Sequence, residues 1–421
     1  MSWLDRYRLR SFLRHSIWLP PLLGLLTALL LHQVTRRVDL ILGWKALVGP
    51  EGARAVLAAL ASSMLTFIVF VFSILLVAVQ LASAQLTPRI IALVYRNRVL
   101  KVSLTFFVFA FTYTLAVLSR VEAAVPQISV WVAVYSCVVC IVIFVYMIDH
   151  IGKALRPVSV LTLVGSVGQA VIREVYPEPV AGTEDTPTNV ALVPPDQPSR
   201  TVASTQTGAV RGFDVTGLVE LACRADCLIE LVPQVGDFVT QGDPLFRVYH
   251  GGEGIDAREL HRAVAIGPER TMEQDPTFAF RIVVDIAAKA LSPAINDPTT
   301  AVLGLDQIHA LLRTAAALQL DTGRVRDGAG ELRLAYRTPD WEDFVGLAVT
   351  EIRQFGRESI QIVRRMRALL ETLIKVVPPQ RVALLRAELA LLSRGVAQDF
   401  RDPEDRIRAA SGDSLGVGGV T

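Results

Sequence analysis

The chain has 421 residues, of which 52% are hydrophobic and 19% are charged, and its net charge is +2. At on the order of 150 residues per domain, this length holds two or three domains. The near-neutral balance excludes a protein that binds nucleic acid through bulk positive charge, and no nucleic-acid partner is predicted. The high hydrophobic fraction indicates a chain partly embedded in a lipid bilayer.

Four long apolar runs predict a membrane domain over residues 17–148. A helix that crosses the bilayer needs about 20 mostly apolar residues, and the four runs approach or exceed that length. The predicted spans are Ile17–Val34, Val56–Leu86, Val99–Leu118 and Val125–Ile148.

Basic residues flank the spans unevenly. Residues 1–16 form a basic N-terminus, and a second basic cluster lies between the second and third spans, at 89–101. Because short loops rich in Lys and Arg stay in the cytoplasm, both termini are predicted to be cytoplasmic. The Arg36-Arg37 pair after the first span is the main evidence against this orientation.

Polar residues recur along the second predicted span at spacings of 4, 7, 7 and 3, which keeps them on one helix face. This polar stripe consists of Ser62, Thr66, Ser73, Gln80 and Ser83. Unpaired amides and hydroxyls are costly in lipid, so the stripe should face other helices or water. Two interpretations stay open: helix packing, which is favoured, and the lining of a pore in an oligomer.

A connector and Pro-rich linker is predicted over 149–202, followed by a small β module over 203–250. Two glycine turns in this module, at Gly236 and Gly242, enclose one short strand. The pattern resembles the barrel-sandwich hybrid of biotinyl and lipoyl carrier domains. Such a carrier needs a lysine for its cofactor, and none lies between Lys153 and Lys289, so no cofactor is predicted.

Residues 251–400 predict a helical cytoplasmic domain with a β-hairpin near 325–336, and residues 401–421 a C-terminal tail. Four helices should begin where a capping residue precedes a proline. These dipeptides are Asp275-Pro276, Asp297-Pro298, Thr338-Pro339 and Asp402-Pro403. Further amphipathic helices are predicted over about 340–355, 357–376 and 379–397. The fold class is thus a mainly α membrane protein with four transmembrane helices and a cytoplasmic α+β region.

One predicted helix carries a charged face. Arg281, Asp285 and Lys289 lie four residues apart on it, and each neighbouring pair can form an ion pair. The favoured interpretation is a solvated ladder, and the alternative is a partly buried charge network at an interface or ligand site. Asn296 and Asp297 follow at a proline-stiffened corner and are predicted to be helix caps.

Three carboxylates of this region are candidate ligands for a metal ion. Asp275, Asp285 and Asp297 could together hold a metal ion, but no His lies close in the sequence. No metal site is predicted.

Two phrases of the sequence carry a family resemblance. One is QLASAQLTPR at Gln80–Arg89, and the other runs from Glu269 through Ser292-Pro293-Ala294-Ile295-Asn296-Asp297-Pro298 to Ala301. Together they resemble the bacterial predicted membrane proteins known as domain of unknown function 2254, over nearly the whole chain. The resemblance implies a multi-span bacterial inner-membrane protein, and it implies no activity and no catalytic residues.

Three classes of function compete. The first is a homo-oligomeric channel or pore with a cytoplasmic sensing domain, and the second is a membrane-anchored scaffold or regulator that binds a cytoplasmic protein. The third is an enzyme, which is disfavoured because the chain lacks the nucleotide-binding, serine-hydrolase and zinc-protease motifs. No catalytic residue is therefore predicted, and the expected partners are the bilayer and further copies of the chain.

Overall fold

A computed structural model describes residues 2–42, 49–87, 89, 97–121, 125–180, 197–320 and 323–418. The chain divides into two units. Residues 9–159 form the first, here named the apolar unit, and residues 1–8 with 160–421 form the second, named the mixed unit.

Four long helices build the apolar unit, and the shorter helix α1 (Trp3–His15) precedes them. They are α2 (Leu19–Leu42), α3 (Pro50–Gln85), α4 (Arg98–Leu118) and α5 (Gln127–Ala154). Helix α4 is central, because its buried Leu104, Phe107 and Tyr113 lie among the other three helices. Apolar side chains also cover the outer faces: Leu30 of α2 is 67% exposed and Val142 of α5 is 66% exposed. Such outer faces suit contact with lipid.

Four described helices are long and apolar enough to cross a membrane, judged by length and composition: Pro50–Leu81, Arg98–Leu118, Gln127–Ala154 and Pro157–Val175. The first three match the second, third and fourth predicted spans. The fourth of these helices, Pro157–Val175, is not among the four predicted spans. The predicted span Ile17–Val34 falls in α2, whose second half contains His32, Arg36, Arg37 and Asp39 and is therefore less apolar.

The mixed unit contains nine described helices. They are α6 (Pro157–Val175), α7 (Val215–Arg224), α8 (Ala257–Arg262), α9 (Pro276–Ala290), α10 (Pro298–Ala316), α11 (Trp341–Phe355), α12 (Ile360–Val376), α13 (Pro379–Asp399) and α14 (Pro403–Ala409). The predicted Asp-Pro starts are confirmed, since Asp275, Asp297 and Asp402 each accept a hydrogen bond from a backbone N–H of the first turn. The predicted start at Thr338-Pro339 is wrong, because Asp340 and Asp343 form a capping box and α11 begins at Trp341.

One face of helix α6 packs within the mixed unit. It lies so close to α9 and α10 that a Cβ atom added at Gly168 would stand 2.5 Å from the Ala279 Cβ atom and 2.8 Å from Leu311. Only glycine permits this approach without moving a neighbour. The hydroxyl of Tyr176, just after the helix, donates to the Pro339 carbonyl at 2.9 Å.

Two sheets complete the mixed unit. The strands are β1 (Arg200–Ala203), β2 (Gly208–Phe213), β3 (Leu228–Leu231), β4 (Phe238–Val239), β5 (Pro244–Tyr249), β6 (Val264–Gly267), β7 (Arg324–Arg326) and β8 (Leu332–Tyr336). One sheet has the order β1-β5-β3-β8-β7 and the other β4-β2-β6. All pairings are antiparallel except β3 with β8, where Ile229 stands opposite Leu334.

The predicted β module is partly correct. The turns at Gly236 and Gly242 have positive φ and enclose β4 as expected, and the hairpin near 325–336 is β7–β8. Within the predicted β module, Leu218 and Val219 lie not in a strand but in α7, whose buried face joins the same core as Phe246. The module and the hairpin share one sheet, and the barrel-sandwich resemblance stays a prediction.

The predicted linker and tail are more structured than the sequence indicates. Helix α6 and strand β1 occupy much of 149–202, and residues 181–196, which include three prolines, lie outside the described residues. In the tail, the fully buried carboxylate of Asp413 accepts hydrogen bonds from the N–H groups of Leu415, Gly416 and Gly418 at 2.8–3.0 Å.

Candidate functional site

The polar stripe lies on α3, the longest described helix. Pro50 opens this helix, and no further proline interrupts its 36 residues. At 1.5 Å per residue the helix is about 54 Å long, which exceeds the roughly 30 Å hydrocarbon thickness of a bilayer.

The stripe is on the outer side of the apolar unit. Val71 and Leu75 mark the buried side of α3, and Ser73 is rotated about 200° from Val71. Ser62, Thr66, Ser73 and Gln80 are exposed, and Ser83 is half-buried. Within one chain Ser62, Thr66, Ser73 and Gln80 therefore do not pack α3 onto its neighbours.

Two hydroxyls of the stripe bond to their own helix. Thr66 Oγ1 donates to the Ser62 carbonyl at 3.1 Å, and Ser73 Oγ donates to the Val69 carbonyl at 2.9 Å. With the described residues, the Ser62 hydroxyl and the Gln80 amide form no hydrogen bond. These two groups would be the costly ones in lipid.

A hydrogen-bonded chain of side chains lies inside the apolar unit, and sequence analysis missed it. This polar chain joins Thr35 and Asp39 of α2, Tyr113 of α4 and Ser129 of α5. The Thr35 and Tyr113 hydroxyls are 2.8 Å apart, and Ser129 Oγ lies 3.1 Å from Thr35 Oγ1 and 2.6 Å from an Asp39 oxygen. Tyr113 and Ser129 are fully buried.

Asp39 anchors the start of α5. Its carboxylate accepts hydrogen bonds from the N–H groups of Ile128 at 2.8 Å and Ser129 at 3.1 Å. An ionised carboxylate is stabilised there because helix N-termini carry partial positive charge and unsatisfied N–H donors. The contact ties the end of α2 to the beginning of α5.

His32 lies beside the polar chain, one turn before Thr35. It is only 7% exposed, and its ring centroid stands 6.2 Å from that of Tyr113. Its Nδ1 atom has no hydrogen-bond partner among the described residues. The sequence gives no signal that brings this cluster together, since its members come from three helices.

The charged face of α9 is a half-buried network whose main partner comes from another helix. Arg281 Nε donates to Asp285 at 2.7 Å, and Arg281 Nη2 donates to Glu351 of α11 at 2.7 Å. The Arg281 and Asp285 side chains are each 23% exposed. The fully solvated ladder is therefore excluded for this pair. The Glu351 hydrogen bonds raise the pKa of Arg281, and the Arg281 hydrogen bonds lower the pKa of Glu351.

The corner between α9 and α10 is built as a cap. Asp297 accepts from the Thr300 N–H at 3.0 Å and from its hydroxyl at 2.5 Å, which confirms it as the N-cap of α10. Asn296 instead adopts a left-handed backbone with φ of 48°, and its N–H donates to the Ser292 carbonyl. It turns the chain and does not cap the helix. Asparagine tolerates this conformation better than most residues.

The three candidate metal ligands, Asp275, Asp285 and Asp297, each have a different partner in the structure. Asp275 caps α9 and pairs with Arg270 at 2.6 Å, Asp285 pairs with Arg281, and Asp297 caps α10. Within the described ranges, no group of three metal-binding side chains occurs.

We expect Asp285→Ala to cost about 1 kcal/mol, since Arg281 keeps its pair with Glu351. Arg281→Ala removes both pairs and should cost about 2 kcal/mol. Calorimetry of the detergent-solubilised protein would measure both, with Glu404→Ala as a control, because the Glu404 side chain is 82% exposed. A larger loss for Asp285→Ala than for Arg281→Ala would contradict this network.

The same network makes stability depend on pH. Arg281 holds the folded pKa of Glu351 below its ordinary value of 4.5. The stabilisation of the folded protein by ionised Glu351 is therefore complete above pH 4.5. It is lost as the pH falls through the lowered pKa that Glu351 has in the folded state.

Comparison with known proteins places the chain in a family. The family model described as predicted membrane protein (DUF2254) matches residues 14–372. The chain is 28% identical to the uncharacterized protein Mb1321c of Mycobacterium bovis and to the uncharacterized protein Rv1290c of Mycobacterium tuberculosis. Each match covers 96% of this chain and 81% of the relative. No solved structure matches. The chain therefore belongs to the DUF2254 family of predicted membrane proteins.

Proposed function

We propose that this protein is the subunit of a homo-oligomeric channel in the bacterial inner membrane. In this proposal the α3 helices of several copies surround a common axis, and the polar stripe lines a water-filled path. The mixed unit lies in the cytoplasm and regulates the channel. No catalytic activity is proposed, because the sequence lacks the enzyme motifs considered above.

The exposed Gln80 amide is the observation that carries the proposal. It stands on the outer face of α3 with no hydrogen bond to the described residues, and Ser62 stands five turns earlier on the same face. Lipid cannot satisfy either group, whereas water or a second copy of α3 can. An oligomer of outward-facing α3 helices supplies one of these two environments.

Cysteine accessibility tests the pore directly. Cysteines at Thr66, Ser73 and Gln80 should react with a small, charged, membrane-impermeant thiol reagent, because water reaches the stripe. The controls are Phe70 and Phe72, which are 54% and 47% exposed in the single chain but lie on the flanks of α3. Cysteines there should stay unreactive, since they face lipid or neighbouring helices.

The background for this test is a variant whose four native cysteines are alanine and whose oligomer size is unchanged. Inert cysteines at all three stripe positions would mean that the stripe packs subunits together and lines no pore. A purified protein that is monomeric by mass measurement would overturn the oligomer as well.

Packing of the N-terminus supports four crossings. Residues 1–8 belong to the mixed unit, where Leu4 is buried. Burial and the neighbouring Glu273 carboxylate raise the pKa of the Tyr7 hydroxyl. A segment that packs on the mixed unit lies on its side of the bilayer, so an even number of crossings separates them. Helices α2 to α5 provide four, and α6 is already packed on α9 and α10.

Reporter fusions test this topology. A fusion after the last residue should behave as cytoplasmic, because the Arg-rich segments at 6–14 and 89–101 hold that side inside. A fusion between α2 and α3 should behave as periplasmic if α2 crosses. Cytoplasmic behaviour at both points would contradict four crossings by α2 to α5, because an even number of crossings would then lie between the α2–α3 loop and the C-terminus.

The alternative function is a membrane-anchored scaffold that binds a cytoplasmic protein. The observation in its favour is Phe238, which is 67% exposed on β4 at the edge of the three-stranded sheet. Exposed aromatic residues beside an unpaired strand edge are typical of protein-binding surfaces. A monomeric protein that loses a partner on Phe238→Ala would favour this function over the channel.

A further inference from the structure

A cavity of about 260 Å³ lies in the mixed unit between α11, α12 and α13. It belongs to neither the polar stripe nor the Arg281 network. The last turn of α11, the first turn of α12 and the C-terminal half of α13 supply its walls.

Arginines dominate the charge of this cavity. Arg353 and Arg357 enter from the α11 side, and Arg394 enters from α13. Asp399 is the single carboxylate on the lining, so three positive charges and one negative charge leave a net charge of +2. Clustered guanidinium groups repel one another unless an anion lies among them.

The arginines of the cavity are weakly paired within the described part of the chain. Arg394 makes no ion pair or hydrogen bond there. Arg357 lies 3.5 Å from its neighbour Glu358, and both of these side chains are well exposed. Arg353 Nε faces Glu388 at 3.4 Å, but neither atom has a partner in hydrogen-bonding geometry. The donors of Arg394 are therefore available to a ligand, whereas Arg353 and Arg357 each have an acidic neighbour with which a ligand would compete.

The remaining wall is apolar. Leu392 and Val396 of α13 are buried beside the cavity, and Val363 of α12 closes it from the other side. A guanidinium group binds phosphate oxygens in a planar, bidentate manner, and an apolar wall favours a ligand with an apolar portion. The small volume limits that portion to about one ring.

We propose that this cavity, named the arginine pocket, binds a small phosphate-bearing dianion with an apolar portion. The proposal goes beyond the channel and does not depend on it, because the pocket lies entirely within the mixed unit.

Calorimetric titration of the full-length protein in detergent tests the pocket, with phenyl phosphate, inorganic phosphate and benzoate as probes. Phenyl phosphate should bind tightest, since it combines two charges with one ring. Inorganic phosphate lacks the apolar contact, and benzoate carries a single charge. Binding of phenyl phosphate should weaken below pH 6, because the second phosphate pKa is about 6.

Three variants locate the binding. Arg394→Gln should weaken the binding of phenyl phosphate by about tenfold or more, because it removes a charged hydrogen-bond donor. Gly395→Leu should abolish binding by filling the cavity, since the space beside Gly395 is open up to Asp399 at 3.7 Å. Arg386→Gln is the matched control, because Arg386 is an exposed arginine of α13 outside the pocket.

Each outcome decides the proposal. Selective loss in Arg394→Gln and Gly395→Leu, with Arg386→Gln unchanged, would support it. An equal loss of phenyl phosphate affinity in Arg386→Gln would mean that diffuse surface charge causes the binding. If benzoate bound as tightly as phenyl phosphate, the proposed preference for a dianion would be wrong. No heat with any probe would overturn the pocket itself.

Discussion

Asp39→Ala should destabilise the apolar unit by about 2–6 kcal/mol, because three donors lose their carboxylate acceptor and only the Ser129 hydroxyl keeps another acceptor, on Thr35. The donors are the N–H groups of Ile128 and Ser129 and the hydroxyl of Ser129. Ser129 is fully buried, so water cannot replace the lost carboxylate at its side chain. The end of α2 should separate from the start of α5, and the Thr35–Tyr113 hydrogen bond should weaken with it.

Thermal unfolding of the protein in detergent measures this loss. Asp39→Asn keeps one acceptor oxygen and should fall between the wild type and Asp39→Ala. The matched control is Asp149→Ala, which removes an exposed carboxylate of α5 that pairs with Lys153 at 2.7 Å. Exposed pairs of this kind contribute about 0–1 kcal/mol. Equal melting temperatures for Asp39→Ala and Asp149→Ala would show that Asp39 does not anchor α5.

Arg381→Met should destabilise the mixed unit by about 3–4 kcal/mol, since it removes two charged hydrogen bonds from a buried site. Arg381 is 9% exposed and donates at 2.8 Å to the carbonyls of Ala315 and Leu318, where α10 ends. Its guanidinium carbon also stands 5.4 Å from the centroid of the Trp341 ring. Burial lowers the pKa of Arg381, and the negative end of α10 favours its charge.

Calorimetry with Arg386→Met as the control isolates this contribution. Both substitutions replace an arginine on α13 with the same unbranched side chain, but Arg386 is exposed. Helix propensity therefore changes equally in the two variants, and only the buried contacts differ. Equal melting temperatures would contradict a structural role of Arg381 at the end of α10.

Much of the helical framework follows from the sequence because its causes are local. Apolar runs long enough to span a bilayer coincide with α3, α4 and α5. Asp275, Asp297 and Asp402 precede prolines and cap their helices, since a cap needs only the first turn beyond it. The stripe on α3 is likewise readable, because helical geometry alone places residues four and seven apart on one face.

Tertiary structure alone decided which of these faces meet. Tyr113, Thr35, Ser129 and Asp39 come from three helices, and no periodicity along one helix could pair them. Glu351 is a second acidic partner of Arg281 that the sequence did not indicate, because it lies on α11, which packs against α9. The parallel pairing of β3 with β8 joins segments about a hundred residues apart. Local rules determine how a segment folds, whereas long-range packing determines which residues it contacts. The outward direction of the polar stripe and the packing of α6 within the mixed unit are both set by long-range packing.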